Sequence, residues 1–135
     1  MRLSYTYTDG EHTRASDVPA GVQKGDVLDY TPRHIAQLQL GMESNSGWKS
    51  YLAASYIDGS CTTTSCDRDG VDSRFLRTDS LVTVDVAASY ALSHQAELYA
   101  RMENIFDEQE ITHRGSDGAR GNIGRNGSVG LRLRF

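Results

Sequence analysis

The sequence contains no apolar run of the roughly 20 residues that a helix needs to cross a bilayer. This excludes a helical membrane protein but not a membrane β-barrel, because barrel strands are only half apolar. Prolines are scarce, two against 13 glycines, and this balance suits strands and turns. An excess of basic charge is also lacking, since the net charge is -4, so nucleic acid is excluded as a partner.

The first residues lack the apolar run and the small-residue cleavage site of a secretory signal. Apolar and polar residues alternate from Leu3 onward, so the chain begins with a pattern typical of the middle of a polypeptide. Two interpretations follow. Either an export signal lies upstream in a longer polypeptide, or the reading frame is a remnant that is never exported.

Alternation of apolar and polar residues is the dominant pattern, and it predicts β-strands. In the clearest run, Val84 and Val86 alternate with Thr83 and Asp85. Six such runs occur, at residues 3–8, 34–43, 48–57, 80–92, 96–106 and 128–135. We therefore predict an all-β protein of about six antiparallel strands.

The connections between these runs alternate between short and long. Residues 44–47 and 93–95 are short enough for hairpin turns, whereas residues 9–33, 58–79 and 107–127 form long polar loops. An up-and-down membrane barrel has short periplasmic turns and long extracellular loops. The alternation of short and long connections therefore favours a transmembrane barrel segment. A soluble β-sandwich binding module is the rival interpretation. It explains the alternation of apolar and polar residues but not the alternation of short and long connections.

Aromatic residues lie near the predicted strand ends, as in the two interfacial girdles of a barrel. At the end with short turns they are Trp48, Tyr90 and Phe135. At the end with long loops they are Tyr7, Tyr56 and Phe106. Cross-strand packing in a soluble antiparallel sheet is the alternative explanation for the tyrosines.

Several motifs resemble those of TonB-dependent outer-membrane receptors. Asn104-Ile-Phe-Asp107 resembles the element that ends the penultimate strand of that family and opens its last external loop. The Arg- and Gly-rich residues 114–121 resemble that loop, although the usual prolines are missing. Asp29-Tyr-Thr-Pro-Arg-His34 resembles an element that often opens an inward-running strand, and residues 84–90 resemble the strand before the last hairpin.

The resemblance implies that residues 1–135 are the C-terminal part of a receptor barrel in the outer membrane of a Gram-negative bacterium. It further implies a plug domain, more strands and a TonB-contacting segment, none of which the sequence contains; TonB would be contacted only through those N-terminal regions. Six strands leave two open edges, to be satisfied by the rest of the barrel or by a second copy in a small self-associated structural barrel.

The last run resembles the C-terminal barrel signal of outer-membrane proteins. Val129, Leu131 and Leu133 alternate with polar residues up to Phe135. The resemblance implies that the barrel-assembly machinery recognises this strand, and that outer-membrane lipid contacts its apolar side. Arg132 and Arg134 lie on the opposite face, where we expect them to pair with acids of the strands or the plug.

The resemblance also implies an iron chelate, such as ferric citrate or a siderophore, as the ligand; cobalamin or a sugar is not excluded. Guanidinium groups pair well with carboxylates, so arginines of the long loops could attract an anionic chelate. The candidates are Arg74, Arg77, Arg114, Arg120 and Arg125. The alternative is that these residues are ordinary solvated loop charges.

Cys61 and Cys66 lie in the second long loop, and in an exported protein such a pair most simply forms a disulfide. Without a nearby histidine they do not complete a zinc site, so we predict no metal and no cofactor. We also predict no catalysis. His113 with Asp107 or Asp117 is the one local pairing, and such neighbours are expected by chance in a polar loop.

Overall fold

The computed structural model describes residues 1–13 and 21–134. Its main element is a six-stranded antiparallel sheet in the order β1-β2-β3-β4-β5-β8. The strands are β1 Arg2–Tyr7, β2 His34–Glu43, β3 Trp48–Ile57, β4 Leu81–Ala91, β5 Ala96–Glu103 and β8 Asn126–Leu133. The predicted all-β antiparallel fold is confirmed. In the described part of the chain, no helix is long and apolar enough to cross a membrane.

Two short turns and three long loops connect the strands. The turns, at residues 44–47 and 92–95, form the short-turn end of the sheet. The loops at the opposite end are L1 (8–33), L2 (58–80) and L3 (104–125). L3 contains a hairpin that the sequence did not predict, made of β6 Ile111–Gly115 and β7 Gly118–Gly121. L2 contains a short 3-10 turn, Ser73–Phe75.

The register aligns the apolar residues of neighbouring strands on one face. Leu38 is paired with both Leu3 and Ala54, and Ala54 is paired with Val84. Directly opposed residues of antiparallel strands point to the same side, so this apolar face continues across the sheet. At its short-turn end, the rings of Trp48 and Tyr90 contact each other, 4.8 Å between centroids.

The other face is polar and carries its own contacts. Arg132 Nη1 lies 3.0 Å from Glu97 Oε2, and Ser89 donates to Glu97 at 2.7 Å. Arg132 therefore forms an ion pair with an acidic residue of a neighbouring strand, as the sequence predicted. Tyr99 lies on this face opposite Gly130, where a Cβ would collide with the tyrosine ring. A glycine is required there because the aromatic ring covers its backbone.

The predicted strand bounds are correct for β2 and β3 and shift by one or two residues for β1, β4 and the start of β8. The prediction for β5 is wrong at its end, since the strand stops at Glu103 rather than residue 106. Asn104 has φ of 51°, which breaks the extended conformation. The last strand ends at Leu133, before its predicted end at residue 135, and Phe135 lies outside the described residues.

Candidate functional site

The three long loops converge at one end of the sheet, and Tyr30 of L1 connects all of them. Its backbone N–H donates to the Cys61 carbonyl of L2 at 2.7 Å. Its ring stacks on His113 of L3 with centroids 5.3 Å apart, and its hydroxyl donates to the Arg114 carbonyl. The loop end is therefore one connected surface rather than three independent loops.

A clasp between Asp26 and Arg68 joins L1 to L2. Arg68 Nε donates to Asp26 Oδ1 at 2.7 Å, a second guanidinium nitrogen contacts Oδ2, and the Gln23 N–H donates to Oδ2 at 2.6 Å. Asp26 is only 6% exposed. The bonds from Arg68, and then the one from Gln23, lower the pKa of Asp26 to about 2. The clasp is therefore ionic at any pH well above that value.

L2 is closed by a disulfide between Cys61 and Cys66, whose Cα atoms lie 5.7 Å apart. Both cysteines are buried. Beside the disulfide, Asp67 accepts from Arg77 at 2.6 Å and from Arg33 at 3.3 Å. Asp67 and the two sulfurs lie within 4.8 Å of one another, but sulfurs bonded to each other supply no thiolate for a metal ion.

The candidate ligand-binding arginines divide into a close pair and three separate residues. Arg114 Nε donates to the Arg77 carbonyl at 2.7 Å, which brings L3 against L2. Arg74 pairs with Asp72 at 2.7 Å and lowers the pKa of that carboxyl, and Arg120 pairs with Asp117. Each guanidinium of these two pairs is largely exposed. The structure thus places the Arg114 side chain against the backbone of Arg77, whereas the Arg77 guanidinium pairs with Asp67.

The fifth candidate, Arg125, lies at the base of L3 and participates in the structure of that base. Its backbone N–H donates to Asp107 Oδ1 at 2.7 Å, and this bond, followed by one from Gln109, lowers the pKa of Asp107. The contact joins the two ends of L3, one after β5 and one before β8. Arg125 itself is exposed, and its Nη1 donates to the Ile105 carbonyl at 3.4 Å.

Asn104 is the buried centre of the L3 base, with 4% of its surface exposed. Its side chain donates to the carbonyls of Glu108 at 2.8 Å and Ile123 at 3.1 Å, and accepts from the Glu108 N–H at 3.1 Å. Its own N–H donates to Asp85 of β4 at 2.9 Å. Asparagine fits because it tolerates positive φ and supplies both donors and an acceptor.

The sequence located this motif but missed Asp85, which anchors it. The signal that could have found Asp85 is an acidic residue in the middle of an otherwise valine- and alanine-rich strand. Sequence reasoning also missed Asp26 and Arg68. It quoted Tyr30 within a motif but missed its contacts, because the partners of all three residues lie far away along the chain. No local pattern marks such pairs.

The family model described as "TonB dependent receptor-like, beta-barrel" matches residues 1–105. The chain belongs to this family of TonB-dependent receptors. Its members are outer-membrane proteins of Gram-negative bacteria and are transporters rather than enzymes. The predictions of family, location and absence of catalysis are therefore confirmed.

Solved receptors contain the same fold. The siderophore receptor PiuA from Acinetobacter baumannii matches 98% of this chain with a TM-score of 0.79 at 18% identity, over 19% of the length of PiuA. The ferric-catecholate import receptor Fiu from E. coli K12, in its closed form, matches 97% with a TM-score of 0.77 at 18% identity, over 18% of the length of Fiu.

The ferric yersiniabactin uptake receptor FyuA from Yersinia pestis matches 84% of the chain with a TM-score of 0.64 at 16% identity, over 18% of its own length. No curated protein matches the sequence significantly. The chain spans about a fifth of the length of the receptors PiuA and Fiu.

As a segment of a TonB-dependent receptor barrel, the sheet presents its apolar face to lipid and its polar face to the lumen. On the lipid face, Val129, Leu131 and Leu133 of β8 are 76%, 55% and 52% exposed. The short-turn end is periplasmic and the loop end is extracellular. His113 stacks on Tyr30. Asp107 accepts from Arg125, and Asp117 pairs with Arg120.

Proposed function

We propose that residues 1–135 form the C-terminal arc of the barrel of a receptor that imports an iron chelate. The observation that carries the proposal is the connected loop end of a receptor-type barrel, in which the Arg114 side chain contacts the Arg77 backbone and joins L3 to L2. The receptors of similar fold are named for siderophores and for ferric catecholate. Ferric catecholate and ferric citrate complexes are anionic, so arginines where L2 meets L3 are suitable partners for them.

In this proposal the loops bind the ligand and the wall guides it. L1, L2 and L3 form part of the extracellular ligand surface, together with loops from other strands. The polar face, with Glu97 and Arg132, borders the plug domain in the lumen. TonB acts on the receptor through regions before the barrel, and the barrel-assembly machinery recognises the last strand, with Val129, Leu131, Leu133 and Phe135.

Further strands of the same receptor complete the barrel. Among the described residues, β1 and β8 each pair with a neighbour on one side only. They run antiparallel to each other, so an even number of additional antiparallel strands joins them without a parallel contact. Pairing of both edges removes the unsatisfied backbone groups that lipid would leave exposed.

Ligand binding by the purified receptor that contains this chain tests the proposal. Ferric catecholate, ferric hydroxamate and ferric citrate complexes are titrated against tryptophan fluorescence. We expect one class to bind, and the double variant Arg77→Gln/Arg114→Gln to weaken it about tenfold or more, since a charge-assisted hydrogen bond contributes roughly 1.5–3 kcal/mol.

The matched control is Arg2→Gln, at the periplasmic end of β1, which should leave the affinity unchanged. Folding of each variant is checked by heat-modifiable gel mobility. If none of the chelates binds a folded receptor, the iron-chelate proposal is wrong. If Arg2→Gln weakens binding as much as the loop variant does, the ligand does not use the Arg77 and Arg114 pair.

A further inference from the structure

The lipid face carries a depression near its periplasmic end. One row of residues, directly paired across five strands, forms its floor. This floor row is Met42, Ser50, Ala88, Ala100 and Val129. Its three central side chains are short, whereas the periplasmic side is bordered by Trp48 and Tyr90.

The extracellular wall of the depression is the next row, in which Leu52, Val86 and Met102 are paired in turn. These side chains are longer than those of Ser50, Ala88 and Ala100 in the floor row. The depression is open on its lipid side, has a volume of about 910 Å³ and is lined by residues of both rows. That volume lies in the usual range of ligand sites, roughly 300–1,000 Å³. We call this depression the periplasmic groove.

The depth of the groove follows from strand geometry. The paired rings of Trp48 and Tyr90 mark the periplasmic interface. The floor row is two residues farther along the strand, about 7 Å, which is about 5 Å of depth at a strand tilt of about 40°. The second row lies at about 10 Å. Since one leaflet contributes about 15 Å of hydrocarbon, both rows lie among the acyl chains of the periplasmic leaflet.

We propose that the periplasmic groove binds one acyl chain of a phospholipid of that leaflet. The groove is continuous with the membrane-facing surface. No residue of its floor or wall row is ionisable. Tyr51 and Arg101 also line it, but they belong to the row between the two, which the register assigns to the lumen face. An unfilled depression would forfeit dispersion contacts, and a flexible acyl chain can follow its shape. The site depends on the membrane orientation of the sheet and not on the transported ligand.

Photo-cross-linking in outer membranes that hold the whole receptor tests this site. The probe is a phosphatidylethanolamine with a diazirine in the middle of one acyl chain, and adducts are mapped by mass spectrometry. We expect them to concentrate on residues 50–52, 86–88 and 100–102. Ala100→Phe fills the floor and should lower this labelling about fivefold, equivalent to about 1 kcal/mol.

The matched control is Ala54→Phe, the same change on the same face but outside the groove. It should leave labelling of the groove unchanged. If Ala100→Phe does not fold, Ala88→Leu serves as the smaller filling change. Labelling spread evenly over the lipid face at this depth would overturn the proposal, because that is the pattern of ordinary boundary lipid.

Discussion

The sheet and the three long loops differ in what they bury. The buried residues of the described chain all lie in the loops, and most of them are polar: Asp26, Ser60, Cys61, Cys66, Thr78 and Asn104. The strands instead expose large apolar side chains, such as Leu3 at 69% and Val129 at 76%. A soluble domain of two packed layers shows the reverse arrangement.

This difference teaches that the two regions are stabilised by different surroundings. The strands satisfy their backbone groups through the ladder and leave their apolar side chains to lipid. The loops face water, so they hold together through ion pairs, hydrogen bonds and one disulfide. Perturbing each region should therefore give effects of different kind and size.

The largest effect is expected from a charge on the lipid face. Val84→Arg places a guanidinium near the bilayer midplane and should destabilise the folded barrel by roughly 2–4 kcal/mol. Its control, Thr83→Arg, is adjacent in β4 but faces the lumen, and should cost far less. Urea unfolding in vesicles, followed by heat-modifiable mobility, measures both. Equal destabilisation by the two variants would break the distinction between the faces.

The next effect concerns the base of L3. Asn104→Ala removes three side-chain hydrogen bonds and places alanine at positive φ, so we expect about 3 kcal/mol of destabilisation. Asn104→Gly keeps the backbone conformation accessible and should cost about 1 kcal/mol less. Trypsin cleavage at Arg114 and Arg120 measures the opening of the loop. If L3 of the Asn104→Ala variant resists trypsin as well as L3 of the wild type, the conformation of L3 does not depend on the hydrogen bonds of Asn104.

Loss of the disulfide should have a moderate effect that stays within the loop end. The double variant Cys61→Ala/Cys66→Ala should destabilise L2 by roughly 2 kcal/mol, the value that loop-closure entropy gives for so short a ring. Faster trypsin cleavage at Arg68, with unchanged heat-modifiable mobility, is the expected result. Reductant applied to the wild type should reproduce it. A barrel that unfolds as a whole would contradict the separation of the two regions.

The smallest effect is the pH dependence of the L1 and L2 clasp. The pKa of Asp26 is lowered to about 2, so its stabilising contribution is complete above its unfolded pKa near 3.8 and is lost as pH falls through about 2. Hydrogen exchange of residues 21–28 should therefore be equally protected from pH 7 to pH 5 and lose protection below about pH 4. Asp26→Asn should remove the acid dependence. If protection is already lost between pH 7 and pH 5, a group other than Asp26 causes the pH dependence.

Much of the sheet was predictable because the alternation of apolar and polar residues lies within each strand's own sequence. The bounds of β2 and β3 followed from alternation and from the turn at residues 44–47, and both are correct. In the structure, Leu52, Ala54 and Tyr56 of β3 are each paired with a valine of β4, so the apolar faces of the two strands coincide. The hairpin of β6 and β7 was missed because residues 111–121 show no apolar alternation.

The loop end was less predictable because it depends on contacts between distant residues. Asp26 and Arg68 are separated by 42 positions, and Tyr30 and Arg114 by 84. A single sequence carries no local signal for such pairs. The loop arginines could be named as candidates from their chemistry, but only the fold shows that Arg77 and Arg114 are adjacent.

The alternation of short turns and long loops has a consequence for how such barrels change size. Each hairpin, such as β2 with β3 or β4 with β5, leaves and returns at the same side of the membrane. Gain or loss of one hairpin unit therefore changes the circumference by two strands without inverting the sidedness of the others. Recombination at hairpin boundaries can thus exchange extracellular loops as units while the wall keeps its orientation.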